Sequence, residues 1–163
     1  MASTSPANPK HTALAIGSRK VDLLLAHYTA NHTHPSNERI HLVSTPLNLF
    51  SVVGVLYALY PWLAVVFIVL SLLYYARLSF EFCVAMAITL LAMLVLAGIL
   101  GALGVLWVLW VLSVSAFAGA WLLQDYGHQI EGKKPSAMED LQYFWVGHLF
   151  VLSKLFFKWG IRW

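Results

Sequence analysis

Charge is what this sequence has least of. Only 10% of its 163 residues are Asp, Glu, Lys or Arg, against about 25% in soluble domains, which excludes an ordinary water-soluble globule. Between Pro46 and Gln124 the charged residues are Arg77 and Glu81 alone. Cysteine is nearly absent too. Cys83 stands by itself, which rules out an intramolecular disulfide and a cysteine-based metal cluster. The alternation of polar and apolar residues that a membrane β-barrel needs is missing. So is an apolar stretch near the start of the kind a cleavable signal carries. Residues 1–18 are therefore expected to form a polar, flexible segment ahead of a single membrane domain over residues 19–163.

Long apolar runs are what the chain does have, such as "LAVVFIVLSLLYYA" and "VLWVLWVLSVSAFAGAWLL". In hydrocarbon the backbone must satisfy its own hydrogen bonds, so these runs are helices. At about 20 apolar residues per crossing, the tract predicts an all-α polytopic bundle of about four spans, near 46–60, 62–77, 82–100 and 103–123. Pro61, the Arg77–Glu81 turn and the Gly98, Gly101, Gly104 series supply the breaks. Those glycines can equally form a packing face, and Ser115-x-x-x-Gly119 reads as close helix packing. Two amphipathic pieces flank the spans, over 19–31 and 138–159, the second suited to lying in the interface. Four spans put all ten Lys and Arg residues on one side and leave the opposite turns uncharged. The positive-inside rule then makes that side, with both termini, cytoplasmic. The basic balance is explained by topology, with no nucleic-acid partner.

Seven histidines are many for so apolar a chain. His27, His32, His34 and His41 precede the first span, His128 follows the fourth, and His148 lies in the last helix. An even number of crossings brings both groups to one face. Pro35 suits the first turn of a helix, on which Asn37 and His41 share a side. Several neutral imidazoles without cysteine suit Fe(II), Zn or Cu. The candidate ligands are His32, His41 and His128, with His27 and His148 as candidates for a fourth. A lone interfacial histidine needs no metal, so His11 and His34 are read as surface groups. Glu131 is the carboxylate near His128. It can ligate, orient a ligand, or simply cap a helix.

These residues resemble a known family, the membrane 2-hydroxy-fatty-acid dioxygenases of fungal phytosphingosine breakdown. The shared pattern is a tyrosine, then H-x4-N-x3-H before a proline, here Tyr28, His32, Asn37, His41 and Pro46. After the last span the family has Gly-His, an acidic residue, basic residues and Pro-Ala, matched by Gly127, His128, Glu131, Lys133, Lys134 and Pro135. The likeness covers most of the chain. It departs where Ser136 intervenes before Ala137, and where Gly147-His148 replaces a frequent Gly-Pro. The resemblance implies an Fe(II)-dependent, O2-consuming α-oxidation of 2-hydroxy fatty acids to acids one carbon shorter. It implies that histidines hold the metal, with Tyr28, Asn37 or Glu131 acting beside it. Arg39, Lys133 or Lys134 would draw in the substrate carboxylate, and the acyl chain would lie in the bilayer.

Two other readings remain open at this level. A zinc hydrolase would keep the same ligands but use a metal-bound water. A non-catalytic lipid-binding or scaffolding membrane protein would carry its histidines as interfacial groups. A transporter is disfavoured, since no ionisable residue falls in mid-bilayer.

Overall fold

The computed structural model describes residues 19–132 and 137–163, with side chains in the last helix described from Tyr143 onward. Lys133, Lys134 and Pro135, together with the expected N-terminal segment, lie outside the described residues. The described chain is helical throughout: α1 Lys20–Ala30, α2 Pro35–Leu59, α3 Pro61–Ala76, α4 Phe80–Ala102, α5 Leu106–Glu131 and α6 Ala137–Trp159. Local chemistry sets most of the boundaries. Pro35 opens α2, where its missing N–H costs nothing, and the His34 side chain accepts from Ser36 N–H. Extended Tyr60 and then Pro61 separate α2 from α3. Ser79 caps α4, and its hydroxyl donates to Glu81 at 2.6 Å.

Three helices, α2, α4 and α5, are long and apolar enough to cross a membrane. The second expected span, α3, has 16 residues, or about 24 Å at 1.5 Å per residue, short of the roughly 30 Å hydrocarbon core. The bundle is organised around α2, which packs most extensively on α5 and also touches α3, α4 and α6, while α1 lies on α6. Apolar side chains such as Val69, Ile88 and Leu122 point outward. Polar ones turn inward: Asn37, His41, Ser44, Thr45, Asn48 and Ser51 are buried along α2. This inversion is what a lipid solvent demands.

The structure differs from the sequence reading in three places. The first span does not begin at Pro46, because α2 runs unbroken from Pro35 through it. Proline removes one helical donor, leaving the Leu42 carbonyl without its usual partner, a loss that tightly packed membrane helices absorb. The last long helix does not stop near 123 but continues to Glu131, so His128 sits on its final turn. And Ser115 and Gly119 are exposed, with nothing near Gly119. The close approach between α2 and α5 is made instead by Gly54 against Ser113, where any Cβ would collide with the Ser113 hydroxyl. The other glycine series does both jobs foreseen for it. Gly101 makes room for Tyr57, whose ring a Cβ there would meet at 3.2 Å, while Gly104, at φ +74°, turns the chain into α5.

Candidate metal centre

The N-terminal end of α2 and the C-terminal end of α5 meet, and the end of α1 closes over them. His32 comes just after α1, His41 lies two turns into α2, and His128 is on the last turn of α5. One ring nitrogen from each lies within 4.8 Å of the others. The His32 and His41 ring centroids are 4.3 Å apart, and those of His41 and His128 4.9 Å. His32 and His41 are buried, His128 partly so.

Tyr28 organises two of these rings. Its carbonyl oxygen, which can only accept, lies 2.8 Å from His32 Nδ1, so in the neutral ring Nδ1 carries the proton and Nε2 keeps its lone pair. Its phenol stacks on the His32 ring at 4.0 Å. Its hydroxyl lies 3.0 Å from His41 Nδ1. Where Nδ1 of His41 donates to that hydroxyl, Nε2 is left with a lone pair as in His32. Both Nε2 atoms are buried without a hydrogen-bond partner. Burial lowers the His32 pKa, with His128 adding to the effect and the Tyr28 backbone hydrogen bond opposing it, which favours the neutral ring a metal needs. Burial also pushes the Tyr28 phenol up, keeping it protonated.

Asn37 and Glu131 have a different place. The Glu131 carboxylate at the end of α5 accepts from the backbone N–H groups of Thr33 and His34, each at 2.9 Å, from the Thr33 hydroxyl, and from Asn37 Nδ2 at 3.2 Å. It therefore ties the entrance of α2 to the exit of α5, supplying anionic charge where the α2 dipole favours it. Asn37 Oδ1 occupies the space a Cβ on residue 127 would need, which is why the residue before His128 is glycine.

A cavity of about 180 Å³ opens beside the three histidines. Thr45 and Asn48 from α2, Gln124 and Asp125 from α5, and Phe144 and His148 from α6 complete its wall. His148 turns both nitrogens to backbone carbonyls, Phe144 O at 2.6 Å and Thr45 O at 3.2 Å. Burial lowers its pKa to about 4. His27 is exposed and meets the Tyr143 hydroxyl at 2.8 Å. Neither belongs to the three-histidine cluster. Arg39 is exposed and does not line the cavity, and among the described residues no Lys or Arg does. Thr45, Asn48, Gln124 and Asp125 were not singled out from sequence. Their signal was spacing, four and seven residues after His41 and four and three before His128, which places them on the histidine-bearing faces.

A metal fits this donor set. Two orphaned imidazole nitrogens converge with a third ring, the His32 lone pair is fixed by the Tyr28 carbonyl on the other side of its ring, the Tyr28 hydroxyl holds the His41 ring, and a polar cavity adjoins them. Comparison with known proteins adds one match: the family model described as "2-hydroxy-palmitic acid dioxygenase Mpo1-like" covers residues 18–159. No curated protein and no solved structure matches the chain.

Proposed function

The chain belongs to the Mpo1-like family, and from that membership we propose that it is a membrane dioxygenase converting 2-hydroxy fatty acids to fatty acids one carbon shorter, with Fe(II) held by His32, His41 and His128. The observation that carries the proposal is the pair of buried, unpartnered Nε2 atoms beside His128 at the head of a cavity. The reaction balances without an added reductant. The bond between C1 and C2 breaks, C1 leaves as CO2, and C2 becomes the new carboxylate. The two carbons give up the four electrons that O2 takes, and water is the other product.

Iron bound there would supply one-electron chemistry toward O2 and a Lewis acid for the carboxylate and α-oxygen of the substrate. The residues of the chain do the rest. Tyr28 holds the tautomer of His32 and the orientation of the His41 ring. Thr45 and Asn48 offer hydrogen bonds to the α-hydroxyl from the α2 wall. Among the described residues no Lys or Arg lines the cavity, which leaves the metal at the histidines as the seat for the substrate carboxylate. Trp121 and Phe144 enclose the first methylenes. The same charge asymmetry read from the sequence supports the histidine end facing the cytoplasm.

The test is stoichiometric. Protein in lipid nanodiscs, loaded anaerobically with Fe(II), is given 2-hydroxypalmitate labelled at its carboxyl carbon. The reading requires one O2 consumed for each labelled CO2 released and each shortened acid formed. Substrate turnover without O2 uptake would replace it with a hydrolytic reading.

A further inference from the structure

Resting on the dioxygenase reading, we infer that the enzyme takes in only the head of its substrate and lays the acyl tail along an aromatic row on the outer face of α5. The cavity is the first reason. Its volume of about 180 Å³ falls below the roughly 300–1,000 Å³ that encloses a drug-sized ligand, so a long-chain 2-hydroxy acid cannot be swallowed whole. The tail has to leave.

The second reason is where it can leave. The α5 and α6 helices both pack on α2 but scarcely on each other, and the cavity is lined by residues from both. Trp121 belongs to the cavity wall and is also 62% exposed. It stands at an opening that faces sideways.

The third reason is what lies beyond. Trp107, Trp110, Val114, Phe117 and Trp121 recur at three- and four-residue intervals and are all exposed. Continued in the same register, the row reaches Asp125 and His128. It lies about a quarter turn from the face that α5 packs inward, through Leu109, Ser113, Ala120 and Gly127. From Trp107 to Trp121 the row extends about 21 Å at 1.5 Å per residue, comparable to a palmitoyl chain. One side of one helix thus runs from a candidate metal ligand, through the polar cavity wall, to an apolar track in the bilayer.

A consequence separates this arrangement from a closed tunnel. Lipid tails are as apolar as the row itself, so the track orients the tail without adding much affinity. With no end wall, chain length is not measured. Turnover referred to substrate mole fraction in the membrane stays level as the chain lengthens, where a closed tunnel gives an optimum and a cut-off.

The experiment uses full-length iron-loaded protein in nanodiscs and two photoreactive 2-hydroxy acids, carrying a diazirine near the carboxyl or near the methyl end. The expected result is labelling of the Gln124–His128 region by the first probe and of the Trp107–Phe117 region by the second, both suppressed by excess 2-hydroxypalmitate. If the first label is suppressed while the second falls inside the α3–α4 pair, or is not suppressed at all, the tail track is wrong and the head site stands. Labels that both resist competition overturn the substrate reading along with the track.

Discussion

The hydroxyl of Tyr28 lies 3.0 Å from Nδ1 of His41, two residues brought together from different helices, while the Tyr28 carbonyl holds His32. One tyrosine thereby sets the ring orientation of two candidate ligands. Replacing it with phenylalanine keeps the stacking on His32 and the backbone bond but frees the His41 ring. Such outer partners typically account for about 10–100-fold in metal affinity or activity. Tyr28→Phe is expected to fold normally and to lose iron to a chelator at concentrations the wild type withstands. Chelator titration with circular dichroism on the same samples checks this, and unchanged retention would remove Tyr28 from the site.

Glu131 is predicted to matter for stability before metal. Glu131→Ala leaves the N–H groups of Thr33 and His34 and the amide of Asn37 without their acceptor, a capping loss of about 0.5–2 kcal/mol. Thermal inactivation in detergent should move to lower temperature, with iron still bound in saturating metal. Undiminished thermal stability combined with lost iron would mean that the carboxylate ligates.

Gly127 should tolerate no side chain while Asn37 is present. Gly127→Ala forces its methyl against Asn37 Oδ1, an overpacking cost of about 1–3 kcal/mol. Combining it with Asn37→Ala should recover part of that loss. Additive effects in the double-mutant cycle would show that the two positions are not in contact.

Acid should destabilise the fold through His148. Its folded pKa is depressed to about 4 by burial, below the unfolded value near 6.5. Between those values the unfolded chain binds the extra proton. The contribution to stability is therefore intact above about pH 6.5 and is lost as pH falls toward 4. Metal-free protein isolates the effect from metal release, and His148→Gln should show a shallower fall in melting temperature over that window. An identical slope would place the acid sensitivity elsewhere.

Much of this was legible in the sequence, for physical reasons. Absence of charge and the need for internal backbone hydrogen bonds dictated helices, and Pro61 and Gly104 mark their ends as turn chemistry requires. The meeting of His32, His41 and His128 followed from parity, since a chain that turns back an odd number of times returns to the end where it began. Other features depended on packing. Pro46 read as a start because the nearly uncharged apolar tract begins there, whereas the helix itself begins at Pro35 and the contacts of α2 on both sides of Pro46 carry it through. The role of Glu131 was open because a carboxylate near a histidine has the same appearance in sequence whether it faces a metal or the free N–H groups of a neighbouring helix. Asn48 and Gln124 were at helical spacing from the histidines, but only their shared cavity gives that spacing meaning.

The central claim is that three histidines hold iron, and elemental analysis tests it most directly. Wild-type protein and His128→Ala are purified in detergent, loaded anaerobically with Fe(II), desalted and measured for iron and for turnover of 2-hydroxypalmitate. The account predicts near-stoichiometric iron and shortened acid in the wild type, with both lost in the variant. Wild-type protein that retains no iron, or a His128→Ala protein that binds iron and turns over as well as wild type, would contradict it.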